Sequence, residues 1–164
     1  MKKALAAAIA SLVAVGANAQ TEIYGTVDSK CVVVSETSGI YGNPSPNLLT
    51  TDPTNGGVQP IIRYDVISAS FYKARIAYPD DFSSSPNLDD VVEWTGSVVV
   101  SEVSDADMSD YDTNKITYNN ITEYDLTVAG STWFKISSAA DYGYNKSFPA
   151  GSYNAVVEAE CIPL

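Results

Sequence analysis

The chain contains no histidine among its 164 residues, and only two cysteines, two tryptophans and two methionines. Without histidine there is no Ser-His-Asp triad, no Cys-His pair and no histidine-based zinc site. Gly-Lys-Ser/Thr phosphate loops and G-x-S-x-G turns are absent as well. Cations are scarce: nine Lys and Arg face 20 Asp and Glu, for a net charge of −11. Such a chain repels nucleic acid and anionic lipid, so neither is an expected partner. After the first twenty residues no apolar run is long enough to span a bilayer, so no membrane span is expected in the rest.

The first twenty residues, "MKKALAAAIASLVAVGANAQ", are different. Lys2 and Lys3 precede an apolar run, and Ala17-Asn18-Ala19 supplies small residues for cleavage. This is a bacterial-looking signal peptide, residues 1–19, with the mature chain starting at Gln20. Losing its two lysines takes the net charge to −13. The expectation is a secreted protein that passes through the periplasm to the cell surface or beyond. An oxidising compartment predicts a bridge between Cys31 and Cys161. A nucleophilic thiol would lack a histidine to activate it.

Residues 20–164 are rich in Val, Ile, Thr, Ser and Tyr, with eleven tyrosines in all. Turn-rich stretches such as "YGNPSPN", "TDPTNGG" and "SDADMSDYDTN" separate alternating segments. That pattern predicts an all-β sandwich in one mature domain. Strands are expected at 22–34, 58–78 (two, or one bent), 91–103, 115–129, 131–138 and 152–163. Gly96 is read as a kink. In the last strand Tyr153, Ala155, Val157, Ala159 and Cys161 share one face, with Glu158 and Glu160 on the other. The predicted bridge would tie the first strand to the last.

Three groups of residues invite a chemical reading. Asp105, Asp107, Asp110 and Asp112 could offer hard oxygen ligands to calcium, although the spacing is not that of an EF-hand. The alternative is a solvated acidic loop, and no cofactor or metal is assigned. Trp94, Trp133, Phe134, Tyr142 and Tyr144 could build a sugar-stacking platform. The tryptophans read as core and the two tyrosines as exposed. Glu93, Glu158 and Glu160 are carboxylates without a pattern that marks a glycosidase pair. An enzyme is therefore not expected.

The stretch "IYGTVDSKCVVV" resembles the N-terminal region of bacterial chaperone–usher fimbrial pilins, through Ile23, Gly25, Val27 and Cys31. The final "FPAGSYNAVVEAECIPL" is similar to the closing strand of such subunits. The resemblance implies an Ig-like antiparallel β-sandwich of about seven to nine strands, preceded by the signal peptide. It also implies a fibre of identical or neighbouring subunits, with a periplasmic chaperone as a transient partner. Residues 20–30 would be the donor-strand extension, with Ile23 and Val27 filling a neighbour's sheet and Gly25 at the close approach. Residues 20–30 extended would reach roughly 36 Å at about 3.3 Å per residue. The late position of Cys161 departs from the family. It leaves open a self-complete secreted binding module for carbohydrate or a cell-surface partner. "AQTEIYGTVDS" also resembles the start of Gram-negative porins. Their barrels need more strands than this chain can make, and acids stand where lipid-facing residues would be apolar.

Overall fold

The computed structural model describes residues 30–164. The expected leader and the donor residues Ile23, Gly25 and Val27 lie outside the described residues. Within them the chain is mostly β. The strands are β1 (Cys31–Thr37), β2 (Gly42–Ser45), β3 (Leu48–Thr50), β4 (Ile61–Val66), β5 (Tyr72–Ala77), β6 (Glu93–Val103), β7 (Ile116–Tyr118), β8 (Ile121–Leu126), β9 (Gly130–Asp141) and β10 (Glu158–Pro163). One short helix, α1 (Tyr111–Asn114), precedes β7.

Two antiparallel sheets result, of six and four strands, in a β-sandwich-like arrangement. In the larger sheet β1 pairs β4, and β4 pairs the first half of β9. Further along the same edge of β9 comes β3, followed by β2. The opposite edge of β9 is taken by β6 along ten paired positions from Glu93 to Val103. The smaller sheet runs β10-β5-β8-β7.

Period-two alternation explains most of this. In β4 it buries Ile62, Tyr64 and Val66; in β5 Tyr72, Ala74 and Ile76; in β8 Thr122, Tyr124 and Leu126. These faces meet Phe134 and Ile136 of β9 to form the core. The irregularity expected near Val66-Ile67 is a corner, where residues 67–71 carry the chain from one sheet to the other. Ser70 adopts φ 63° there.

Many of the tyrosines have a structural task. A tyrosine buries a large ring and still carries a hydroxyl that must find a partner. Tyr64, without exposed surface, donates across the sandwich to the carbonyls of Arg75 and Glu160 at 3.2 and 3.1 Å. The Tyr72 hydroxyl accepts from the Lys30 amide at 2.8 Å, and that of Tyr111 from the Val128 amide at 3.1 Å. Burial pushes the Tyr64 phenol well above its usual range, so it remains a donor.

Cys31 and Cys161 form a disulfide. They lie on outer strands of different sheets, so the bridge staples the two layers along one side instead of joining adjacent strands.

Several expectations need correction. Ten strands form among the described residues, not seven to nine, chiefly because the β2–β3 hairpin lies in the turn-rich 42–50 stretch. The last strand starts at Glu158; before it, Asn154 makes only an isolated bridge to Ser84. Gly96 is no kink. It pairs in register with Ser138, and a Cβ there would lie 2.6 Å from both the Tyr78 ring and the Ser137 carbonyl oxygen. Glycine is required by close approach.

Candidate functional site

β6 is built from "EWTGSVVVSEV", a β-branched run with small polar residues on its solvent face. Among the described residues its only strand neighbour is β9. The register shows which of its backbone groups face outward. The amide and carbonyl of Ser138 are both used on the far side of β9, by the Thr51 hydroxyl and the Thr51 amide, each at 2.9 Å. Gly96, opposite Ser138, therefore belongs to a pair whose backbone groups point away from each other. By the two-residue period, Trp94, Val98 and Val100 also turn their backbone groups outward.

This edge divides into two halves. At the second half, side chains take the place of a strand. The Val98 carbonyl accepts from Lys115 Nζ at 2.9 Å and from the Tyr124 hydroxyl at 2.9 Å. The Val100 amide donates to Asp112 Oδ2 at 3.0 Å. Asp112 Oδ1 in turn receives Lys115 at 3.2 Å and lies 3.1 Å from the Tyr124 hydroxyl. Burial and the Asp112 charge raise the Tyr124 phenol far above its usual range. At the first half, Trp94 and Gly96 have no such partners among the described residues.

The 104–115 segment delivers two of these plugs, Asp112 and Lys115, and β8 delivers Tyr124. Asp105 accepts from the Asp107 amide at 3.0 Å and starts a 3-10 turn, Ala106–Met108. Met108 and Tyr111 are buried and anchor the segment across the sandwich. Asp112 and Lys115, three residues apart, then reach β6 together.

The four acids expected as calcium ligands thus have separate places. Asp105 caps a turn, Asp107 is exposed, Asp110 accepts from Asn114 Nδ2 at 2.8 Å, and Asp112 closes the β6 edge. Among the described residues no three Asp, Glu or Cys side chains gather as a metal site.

The five aromatic candidates are not brought together either. Phe134 is core, and Trp133 lies on the outer face of its sheet with the Arg63 guanidinium 5.9 Å from its ring centre. Tyr142, expected to be exposed, is buried: it stacks on Phe148 at 5.2 Å, and its hydroxyl accepts from the Asp89 amide. Tyr144 is 90% exposed. Trp94 joins a different cluster, edge-on to Phe82 at 4.7 Å, with Tyr153 5.1 Å beyond Phe82. Next to this cluster, at the start of β6, is a cleft of about 400 Å³ lined by Phe82, Leu88, Val91 and Trp94, with Asp80 and Asp90 among the acids at its wall. Lys146 bonds Asp90 at 2.5 Å and lowers that carboxyl below its ordinary value.

Glu158 and Glu160 stand on the outward face of β10, where Glu160 pairs with Arg75 at 3.3 Å; Glu93 is exposed on β6. The half-open edge and its plug went unrecognised in the sequence. The signals were the Asp-x-x-Lys spacing of Asp112 and Lys115 and a glycine inside a valine-rich strand.

The chain matches no protein-family model and no curated protein sequence. Among the described residues no helix is long and apolar enough to cross a membrane. The disulfide fits an oxidising, extracytoplasmic compartment.

Proposed function

We propose that the protein is a structural subunit of an extracellular bacterial fibre, assembled by strand addition. Residues 21–29 of one copy would pair with the outward backbone of Trp94 and Gly96 and with the Val98 amide of the next. The observation that carries this reading is the open first half of the β6 edge. An unpaired edge is a template for another strand, and head-to-tail addition gives an open filament. The lengths agree. The stretch from Trp94 to Val98 runs about 17 Å, and nine extended residues reach about 30 Å. Ile23 and Val27 would face the cleft beside Phe82 and Trp94, with Gly25 between them. A periplasmic chaperone would hold the same edge before assembly. The reading assigns no catalytic role to any residue.

Deleting residues 20–28 should leave the β-rich circular dichroism signal intact and abolish fibres under negative-stain microscopy. Fibres formed by the deletion variant would overturn donor-strand assembly. A second reading, a self-complete binding module, draws on the enclosed core, where Tyr64, Ile76, Phe134 and Ile136 show no exposed surface. It requires a clean monomer in solution, in place of a ladder of SDS-resistant oligomers.

A further inference from the structure

We propose that Asp112, Lys115 and Tyr124 form a stop that fixes how far an added strand can run along β6, and hence its register. This rests on the assembly reading above. Strand addition needs outward amides and carbonyls that are free to exchange hydrogen bonds. From the Val98 carbonyl onward they are already engaged. Lys115 and Tyr124 hold the Val98 carbonyl, and Asp112 holds the Val100 amide. These bonds involve charged groups and are among the stronger ones a backbone can make with side chains. Replacing them with a neutral ladder would break the bonds by which the partly exposed Asp112–Lys115 ion pair holds the strand. The bulge between Val100 and Glu102 breaks the ladder just beyond the plug.

An incoming strand therefore meets a five-residue landing site, Trp94 to Val98, closed at one end. Register matters because a slip by one residue would turn Ile23 and Val27 away from the cleft and present the alternate side chains instead. Open, valine-rich edges also accept wrong partners, and Val98, Val99 and Val100 form such a run. The stop removes the most apolar part of the edge from that competition and leaves the part centred on Gly96.

Amide hydrogen exchange of the full chain, read residue by residue, tests this. The monomeric protein is compared with and without an excess of a synthetic peptide of residues 20–30. In the wild type the Val100 amide should exchange about tenfold or more slowly than the Trp94 and Gly96 amides before any peptide is added. Peptide should slow Trp94, Gly96 and Val98 and leave Val100 unchanged. In the double variant Asp112→Ala/Lys115→Met the Val100 amide should exchange fast alone and become protected by the peptide, which moves the footprint two residues along β6. Should that variant not fold, Lys115→Met alone keeps the Asp112 bond, and the wild-type comparison still decides. A Val100 amide as fast as Gly96 in the free wild type, or a variant footprint that still ends at Val98, overturns the stop while strand addition stands. No protection anywhere on β6, with fibres surviving deletion of residues 20–28, overturns the assembly reading itself.

Discussion

Removing the disulfide should cost this protein a large part of its stability, and the magnitude follows from where the bridge falls. Cys31 and Cys161 are 130 residues apart, so the cross-link closes almost the whole described chain into one loop. Loop-closure entropy for such a ring amounts to about 5 kcal/mol at 25 °C. The perturbation is the double variant Cys31→Ser/Cys161→Ser. β1 should still pair β4, and β10 should still pair β5, because each keeps its full ladder. The native state should therefore survive with the same sheets, and the loss should come from the freer unfolded chain. Equilibrium urea unfolding, followed by tyrosine and tryptophan fluorescence, reads this directly. With a slope of roughly 2–3 kcal/mol per molar urea, the midpoint should fall by roughly 2 M. An oxidised control and a reduced wild type should bracket the variant. A midpoint shift below roughly 0.5 M, at unchanged slope, would refute the argument. It would mean that layer packing restrains the two edges without the bridge. A large fall in slope would point instead to a looser native state.

Three further outcomes are expected. Gly96→Ala should destabilise by about 1–3 kcal/mol in urea unfolding, because its Cβ would press on the Tyr78 ring and on the Ser137 carbonyl, which is backbone and cannot swing aside. Tyr124→Phe should cost about 1–2 kcal/mol, since the ring stays packed on Phe134 at 4.5 Å while its hydroxyl bond to the Val98 carbonyl is lost. The Glu123 carboxyl is held below its ordinary 4.5, first by the Tyr118 hydroxyl at 2.7 Å and then by Lys73 at 2.9 Å. A depressed folded-state value means stability present above pH 4.5 and lost as pH falls through the lowered value. Glu123→Gln should therefore be less stable than wild type at pH 7, by up to about 1 kcal/mol, and the gap should close as pH falls through the lowered value. A gap that does not narrow as pH falls below 4.5 would rule out this account.

The parts of the fold legible in the sequence are those in which one physical signal acts alone. In β4, β5 and β8 alternation decides the inward face, and the structure follows it. Ala159 and Cys161 likewise pack toward the core. At 152–157 burial still alternates, but no ladder forms, because that stretch serves a loop cluster. There Tyr153 turns to Phe82 and Phe148, and Asn154 bridges Ser84. The β2–β3 hairpin was hidden because "GNPS" has the composition of a turn. It forms as a strand only because β3 docks on a stretch of β9 that β4 leaves free. Tyr142 reads as a loop tyrosine, yet Phe148 and the Asp89 amide draw it inward. The candidate site was hardest to read, since its chemistry is mostly backbone. No side-chain motif announces an unpaired Gly96 amide. Asp112 and Lys115 look like ordinary loop charges until β6 is placed beside them.

The two long sides of the sandwich are finished by different means, and the difference bears on function. Along β1 and β10 the layers are joined covalently, which is independent of salt and pH and leaves little freedom to open. Along β6 the closure is a set of hydrogen bonds from one loop and from Tyr124 of β8, and among the described residues it stops halfway. A protein that only needed a stable edge could extend the same device over Gly96 and Trp94. The chain instead keeps a glycine there, packs Tyr78 against it, and sets at Trp94 a cleft of mixed apolar and acidic lining. Natural sheets usually guard an exposed edge with charge, proline or a bulge. β6 uses charge and a bulge only from Val98 onward, and the half left unguarded among the described residues is the one that the proposed strand addition would use.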